Sequence, residues 1–184
     1  MEYTKFIFLD IDGVLAFARD NRIYSDGLYG FDAVALSHLE KVIESDPDVK
    51  IVLSSSWRNH YNDVAEIQSA FLMRGFKYPE RIIGKTPRFK SSPDPYMHMS
   101  IPRGCEVRQW LWDNTWTDMP KGMTYTEDLA WKKAHPIYYA IIDDDGDFLL
   151  WQKDHFIQTN GQHGLKAKHV KQVLKALTLP VASV

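Results

Sequence analysis

The stretch Phe6-Ile7-Phe8-Leu9-Asp10-Ile11-Asp12-Gly13-Val14-Leu15 decides the fold. An apolar run stops abruptly at an acid, the pattern of a strand buried on both faces within a parallel sheet. Two further segments repeat it. Residues 49–53 end at Ser54-Ser55-Ser56, with Arg58 close behind, and residues 137–142 end at Asp143-Asp144-Asp145. Short strands are also expected at 82–83 and 156–158.

Helical spacing fills much of the rest. Residues 31–45 carry a stripe of Phe31, Val34, Ala35, Leu39, Val42 and Ile43, with Asp32 near the start. Residues 61–74 place Val64, Ile67, Phe71 and Leu72 inward, and Gly75 stops the helix. Residues 106–112 and the basic, amphipathic 170–177 complete the set. Residues 16–30 read as a loop or small hairpin flap, and Asp46-Pro47-Asp48 as a turn. Irregular insertions are expected at about 76–103 and 116–136. Trp110, Trp112 and Trp116 read as packing beneath loops. The alternation of strands and helices predicts one α/β domain over residues 1–184, a three-layer α/β/α sandwich with a mainly parallel, Rossmann-like sheet.

Composition agrees with this class. A chain of 184 residues with 45% hydrophobic and 25% charged residues can bury one substantial core. A net charge of −2 gives no whole-protein attraction to nucleic acid and leaves a local basic groove open. Neither a long apolar run nor a signal-peptide pattern occurs, so no membrane partner is expected. A single cysteine, Cys105, cannot form an internal disulfide, which fits a reducing cytoplasm. Oligomeric state is not legible.

Strands sharing one direction bring their polar ends to one edge, where open α/β sheets bind ligands. Each cluster alone could be a helix cap; three together point to a site. Within Asp10-Ile11-Asp12, one carboxylate can attack phosphorus and the other can protonate a leaving oxygen and later activate water. Gly13 lets the chain turn close to a phosphate. Carboxylates repel a phosphate dianion, and a hard cation bound by oxygen resolves this, so Asp10, Asp143 and Asp144 favour Mg²⁺. Ser54, nearby amides and a cation from the Arg103 region would hold the remaining phosphoryl oxygens.

These residues resemble the haloacid dehalogenase (HAD) superfamily of phosphatases. More narrowly, Ser54-Ser55-Ser56-Trp57-Arg58, Gly84-Lys85-Thr86-Pro87, Arg103-Gly104 with Glu106, Val107, Trp110 and Leu111, and the Asp143-Asp144-Asp145 strand end resemble the HAD domains of RNA-repair proteins. Those are similar in turn to the phosphatase half of polynucleotide kinase-phosphatases. The resemblance implies Asp10 as nucleophile, Asp12 as general acid/base, Ser54 as phosphate ligand, and Mg²⁺ held by Asp10, Asp143, Asp144 and the Asp12 backbone carbonyl. It implies a third-motif cation, for which Arg103 fits best, with Lys85 and Arg108 as rivals. Gly13, Ser55, Arg58 and Lys85 would contact substrate, with a surface ion pair as the alternative for Arg58. The ligand register within 143–147 stays open by one residue, and Asp145-Gly146 reads as a turn.

A minimal cap suits a large substrate, such as the phosphorylated 3′ end of a nucleic acid. Lys85, Arg88, Lys90, Arg103, Trp131, Lys132 and Lys133 would line its approach or form a solvated surface. The alternatives are a phosphatase of a nucleotide or other small metabolite, and a non-catalytic module that binds phosphate or RNA ends.

Overall fold

The computed structural model describes residues 4–17, 22–89 and 101–181. Its centre is β1 (Lys5–Leu9), whose residues alternate between two faces. Ile7 and Leu9 enter one apolar cluster, while Phe6 and Phe8 enter another on the opposite face. Both clusters are closed to water, which is why the strand carries no polar alternation.

Four more strands join it: β2 (Lys50–Leu53), β3 (Ile82–Lys85), β4 (Tyr138–Asp143) and β5 (Phe156–Gln158). All pairings are parallel, in the order β3-β2-β1-β4-β5. The chain builds outward from β1 to β3, then returns to add β4 on the other flank of β1. The strand order therefore reverses between β1 and β4, the point at whose carboxyl edge open α/β sheets bind ligands.

The helices are α1 (Ala33–Ser45), α2 (Val64–Met73), α3 (Arg103–Asn114), α4 (Tyr125–Ala134) and α5 (Ala167–Ala176). Helices α1, α2 and α5 cover the face of Ile7, Ile51 and Ile142. Helix α3 covers the other, setting the Trp110 ring edge-on to Phe6 at 5.1 Å and Phe8 at 5.4 Å between centroids. The expected three-layer α/β sandwich is the observed one.

Several boundaries differ for physical reasons. Asp32 caps α1 as expected, its Oδ1 accepting from the Val34 and Ala35 amides at 3.0 and 2.9 Å. Val34 itself is exposed, because Ala35, Leu39 and Val42 take the core face. Leu72 is also exposed: the Ile67, Ala70 and Phe71 stripe points inward, and the next residue lies a further 100° round the helix. β3 runs to Lys85 rather than Ile83, and α3 is longer at both ends than 106–112.

The largest difference is α4, which forms inside the segment expected to be irregular. Thr124 and Glu127 make a reciprocal capping box at its start. Its sole buried residue among those described is Lys132, so no apolar stripe announces it.

The flap holds a small hairpin, with an antiparallel bridge between Ile23 and Tyr29; residues 18–21 of the expected segment lie outside the described residues. Arg74 of the α2 C-cap pins this hairpin. Its guanidinium reaches Asp26 Oδ1 at 2.7 Å and the Tyr29 carbonyl at 2.8 Å, and Tyr61 donates to Asp26 Oδ2 at 2.9 Å. Lys90 and much of the proline-rich run also lie outside the described residues.

Candidate active site

The ladder that closes the sheet continues just past it. The Asp10 amide donates to the Ile142 carbonyl at 2.9 Å, and the Ser54 amide to the Leu9 carbonyl at 2.8 Å. Asp10, Ser54 and Asp143 are thus brought level at the reversal point. The carboxylate oxygens of Asp10, Asp143 and Asp144 lie within 4.8 Å of one another. Asp10 and Asp143 are only 4% and 1% exposed, so water screens them poorly.

Arg103 opens α3 beneath this cluster. Its Nη1 lies 2.8 Å from Asp10 Oδ1, 2.8 Å from Asp143 Oδ2 and 2.8 Å from the Ser54 carbonyl oxygen. Of the three cations considered for the third motif, this is the one in the site. Arg108 is exposed further along α3. Lys85 turns away, its ammonium donating to the carbonyls of Arg58, Tyr61 and Asn62 at 3.2, 2.5 and 3.3 Å.

One guanidinium does not balance three acids. Burial holds the Asp10 carboxyl above the ordinary carboxylate range against the opposing pull of Arg103. Burial also raises Asp143, helped by the negative charge of Asp10, and raises Asp144. A compact set of oxygen donors with surplus negative charge suits a hard divalent cation.

Within 143–147, Asp145 and Asp147 stand outside the group formed by Asp10, Asp143 and Asp144. Asp147 is a helix cap: its Oδ2 accepts from the Arg103 amide at 3.0 Å and its carbonyl from Gly104 at 3.2 Å. Asp145 is exposed, and its amide donates to Asp143 Oδ1 at 2.9 Å, which orients that carboxylate. Asp144 lies against Gly13 and Gly161. A Cβ on Gly13 would collide with the Asp144 carboxylate, and one on Gly161 would come within 2.6 Å of its Oδ2. With φ at +69°, Gly13 both allows the turn and clears this slot.

Ser54 is 1% exposed, and its hydroxyl has no partner among the described residues. Such an orphaned donor is costly unless a ligand uses it. Ser55 is buried beside Asp10 and favours its ionised form by hydrogen bonding. Asp12 is exposed and stands apart from the acidic cluster by its carboxylate. Trp57 Nε1 donates to its Oδ1 at 3.0 Å, and the Ser56 hydroxyl approaches Oδ2 at 3.4 Å.

Arg58 corrects both expectations made for it. It is buried, donating to Thr86 Oγ1 at 2.8 Å and to Glu106 Oε2 at 2.6 Å, so it is neither a surface pair nor a free substrate contact. Among the aromatics, Trp110 is core but Trp112 is 63% exposed, not packed beneath a loop. Lys132, expected on a solvated approach, is buried and paired with Asp128 at 2.9 Å.

The sequence shows Trp57 only as part of a motif and Asp147 only as a rival within the acidic run, and gives no sign of Gly161. Trp57 is buried in the structure, and its indole N–H finds its acceptor in Asp12. The roles of Asp147 and Gly161 carry no local signal, because their partners are distant in sequence.

Residues 6–170 match the model of the HAD domain in Swiss Army Knife RNA repair proteins. The chain belongs to this family of HAD domains, a phosphatase-type class. Its fold is similar to the HAD domain of the effector protein Lem4 from Legionella pneumophila, in an inactive mutant. The TM-score is 0.50 and the identity 15%, covering 95% of each chain. A second structure of that Lem4 domain aligns with a TM-score of 0.46 and 14% identity over 96% of each chain. No curated protein matches the sequence. No helix among the described residues is long and apolar enough to cross a membrane.

Proposed function

We propose that this protein is a Mg²⁺-dependent phosphomonoesterase that works through an aspartyl-phosphate on Asp10 and acts on 3′-phosphate ends of nucleic acid. The observation that carries the reading is the convergence of Asp10, Asp143, Asp144, Arg103 and the unpartnered Ser54 hydroxyl at the strand-order reversal.

Asp10, Asp143 and Asp144 would hold the ion. A bound Mg²⁺ supplies charge neutralisation at the phosphoryl oxygens. Ser54 donates to one such oxygen, and Arg103 places positive charge beside the acceptor carboxylate. The Asp10 carboxylate attacks phosphorus as the ester P–O bond breaks, and Asp12 gives its proton to the departing oxygen. Asp12 then takes a proton from water, which attacks the phosphoryl group and frees Asp10 with release of inorganic phosphate.

Trp57 and Ser56 fix the carboxylate that makes both transfers. Trp57→Phe keeps the ring packing against Phe31 and removes the donor. We expect kcat to fall about 10-fold, because general acid–base catalysis depends on geometry. An unaltered kcat would show that Asp12 does not depend on this bond.

The acidic cluster also sets a pH signature. With folded pKa values raised, the metal-free protein binds more protons than the unfolded chain above the ordinary carboxylate pKa. Its stability is therefore lost as pH rises through the folded values. Mg²⁺ needs the carboxylates deprotonated, so the melting-temperature gap between Mg²⁺ and EDTA should widen from about pH 5.5 to about pH 8. An Asp143→Asn control should narrow it. A gap independent of pH counts against the cluster as the metal site.

For substrate, the segment between Asp12 and β2 contributes only the pinned flap and α1 among the described residues, which supports a lightly covered site. Family membership among RNA-repair HAD domains points the same way. Turnover with Mg²⁺ should be compared for 3′-phosphorylated oligonucleotides, 5′-phosphorylated oligonucleotides, mononucleotides and sugar phosphates. Preference for the 3′-phosphorylated oligomer is expected. Turnover of mononucleotides without turnover of oligomers would replace this reading by a small-metabolite phosphatase, and no turnover by a binding module.

A further inference from the structure

We infer that a second site, on the outer side of α3, binds a nucleotide unit of a single-stranded nucleic acid by stacking it on tryptophan beside a phosphate-binding arginine. The cleft is lined by Arg108, Leu111, Trp112, Trp116, Lys132 and Trp151, with Val181 at its margin. Its lining combines three indoles with two cations and no acid; Trp116, Trp151 and Val181 also pack against the second apolar cluster, whereas Trp112 and Arg108 are exposed.

Each part is held or presented in a way that suits a flat, anionic ligand. Trp112 is 63% exposed, an unusual outlay of indole surface for a helix whose neighbour Trp110 is buried. Trp116 is fixed: its Nε1 donates to the His135 carbonyl at 3.0 Å, and its backbone sits at φ +54°. A bulky residue in that left-handed region is strained, and such strain persists where the surroundings demand one orientation. Lys132 joins the two rings, its ammonium 5.1 Å from the Trp116 centroid and 5.8 Å from that of Trp112. Asp128 neutralises Lys132, so the uncompensated charge of the cleft is that of Arg108. Arg108 is exposed and has no ion pair or hydrogen bond among the described residues.

Aromatic platforms interleaved with basic groups are the chemistry of single-strand binding, because every base has a stacking face and every unit a phosphate. An uncharged apolar peptide would leave Arg108 unused. The placement also follows from α3. Arg103 at its first residue reaches the carboxylates, and Trp112 lies nine residues on, about 14 Å along the axis. A strand whose phosphorylated end sits at Asp10 can pass along this helix to the cleft. The inference rests on the polynucleotide reading of the catalytic site, but it is tested without turnover.

The test uses the whole chain in EDTA and a fluorescein-labelled single-stranded RNA of about ten nucleotides without a terminal phosphate, read by anisotropy and by quenching of tryptophan emission. Trp112→Ala and Arg108→Ala, both exposed changes, should each weaken binding about 10-fold. Arg108→Glu should weaken it more and flatten its salt dependence. Absence of binding by the unaltered protein, equal binding by all variants, or competition by a mononucleotide as strong as by the oligomer would each overturn the inference. Binding lost in these variants, alongside no phosphatase activity on any oligomer, would support this site and sink the catalytic reading alone.

Discussion

Asp10→Asn abolishes turnover, with an expected loss of at least ~10³-fold in kcat, because the amide keeps the shape of the side chain and removes its nucleophilic oxygen. The same change should leave the metal-free protein as stable as before or more so. Asp10 is 4% exposed, and burial outweighs the Arg103 ion pair in setting its charge state. Neutralising it relieves a crowded, poorly solvated pair of carboxylates, so its melting temperature in EDTA should match or exceed that of the unaltered protein near neutral pH. Stabilisation by Mg²⁺ should shrink in parallel, since one ligand is gone. Turnover retained at more than a tenth of the original would rule Asp10 out as nucleophile. A large loss of stability in EDTA would instead mean that its ion pair with Arg103 dominates.

The second large effect falls on folding. Arg58 and Glu106 form an ion pair whose side chains are 9% and 6% exposed, with Thr86 taking a second guanidinium hydrogen bond and the Phe89 amide the second carboxylate oxygen. It ties the turn after β2 and the strand end of β3 to α3. Arg58→Met leaves Glu106 buried without its cation, and we expect a cost of about 3–5 kcal/mol in denaturant unfolding. Replacing both residues by apolar ones should recover much of that loss, since the uncompensated charge goes with its partner. A single-variant cost below about 1 kcal/mol would show a pair screened as surface pairs are.

Asp10 and Arg58 differ in how far a local pattern places them. The acid at the end of an apolar strand is a local signal: strand direction and length place it at the edge without knowledge of any partner. Arg58 follows a similar strand, but its partners are 28 and 48 residues away in the chain. No local pattern distinguishes an arginine aimed at substrate from one aimed at a buried glutamate. Helix α4 failed differently. It buries almost nothing, so periodicity was silent, although the Thr124 and Glu127 capping box was there to be read.

By itself, the sequence determined the sheet, its parallel sense, the edge that gathers the acids and the family, because burial on both faces and an abrupt polar stop are written within a few residues. Only the tertiary structure decided that Arg103 is the cation of the site, that Asp147 caps a helix rather than joining the acidic cluster, and that Trp57 holds Asp12. Those assignments depend on which donor meets which acceptor across 40 or more residues, and that choice is made by packing α3 and the turn after β2 against the sheet.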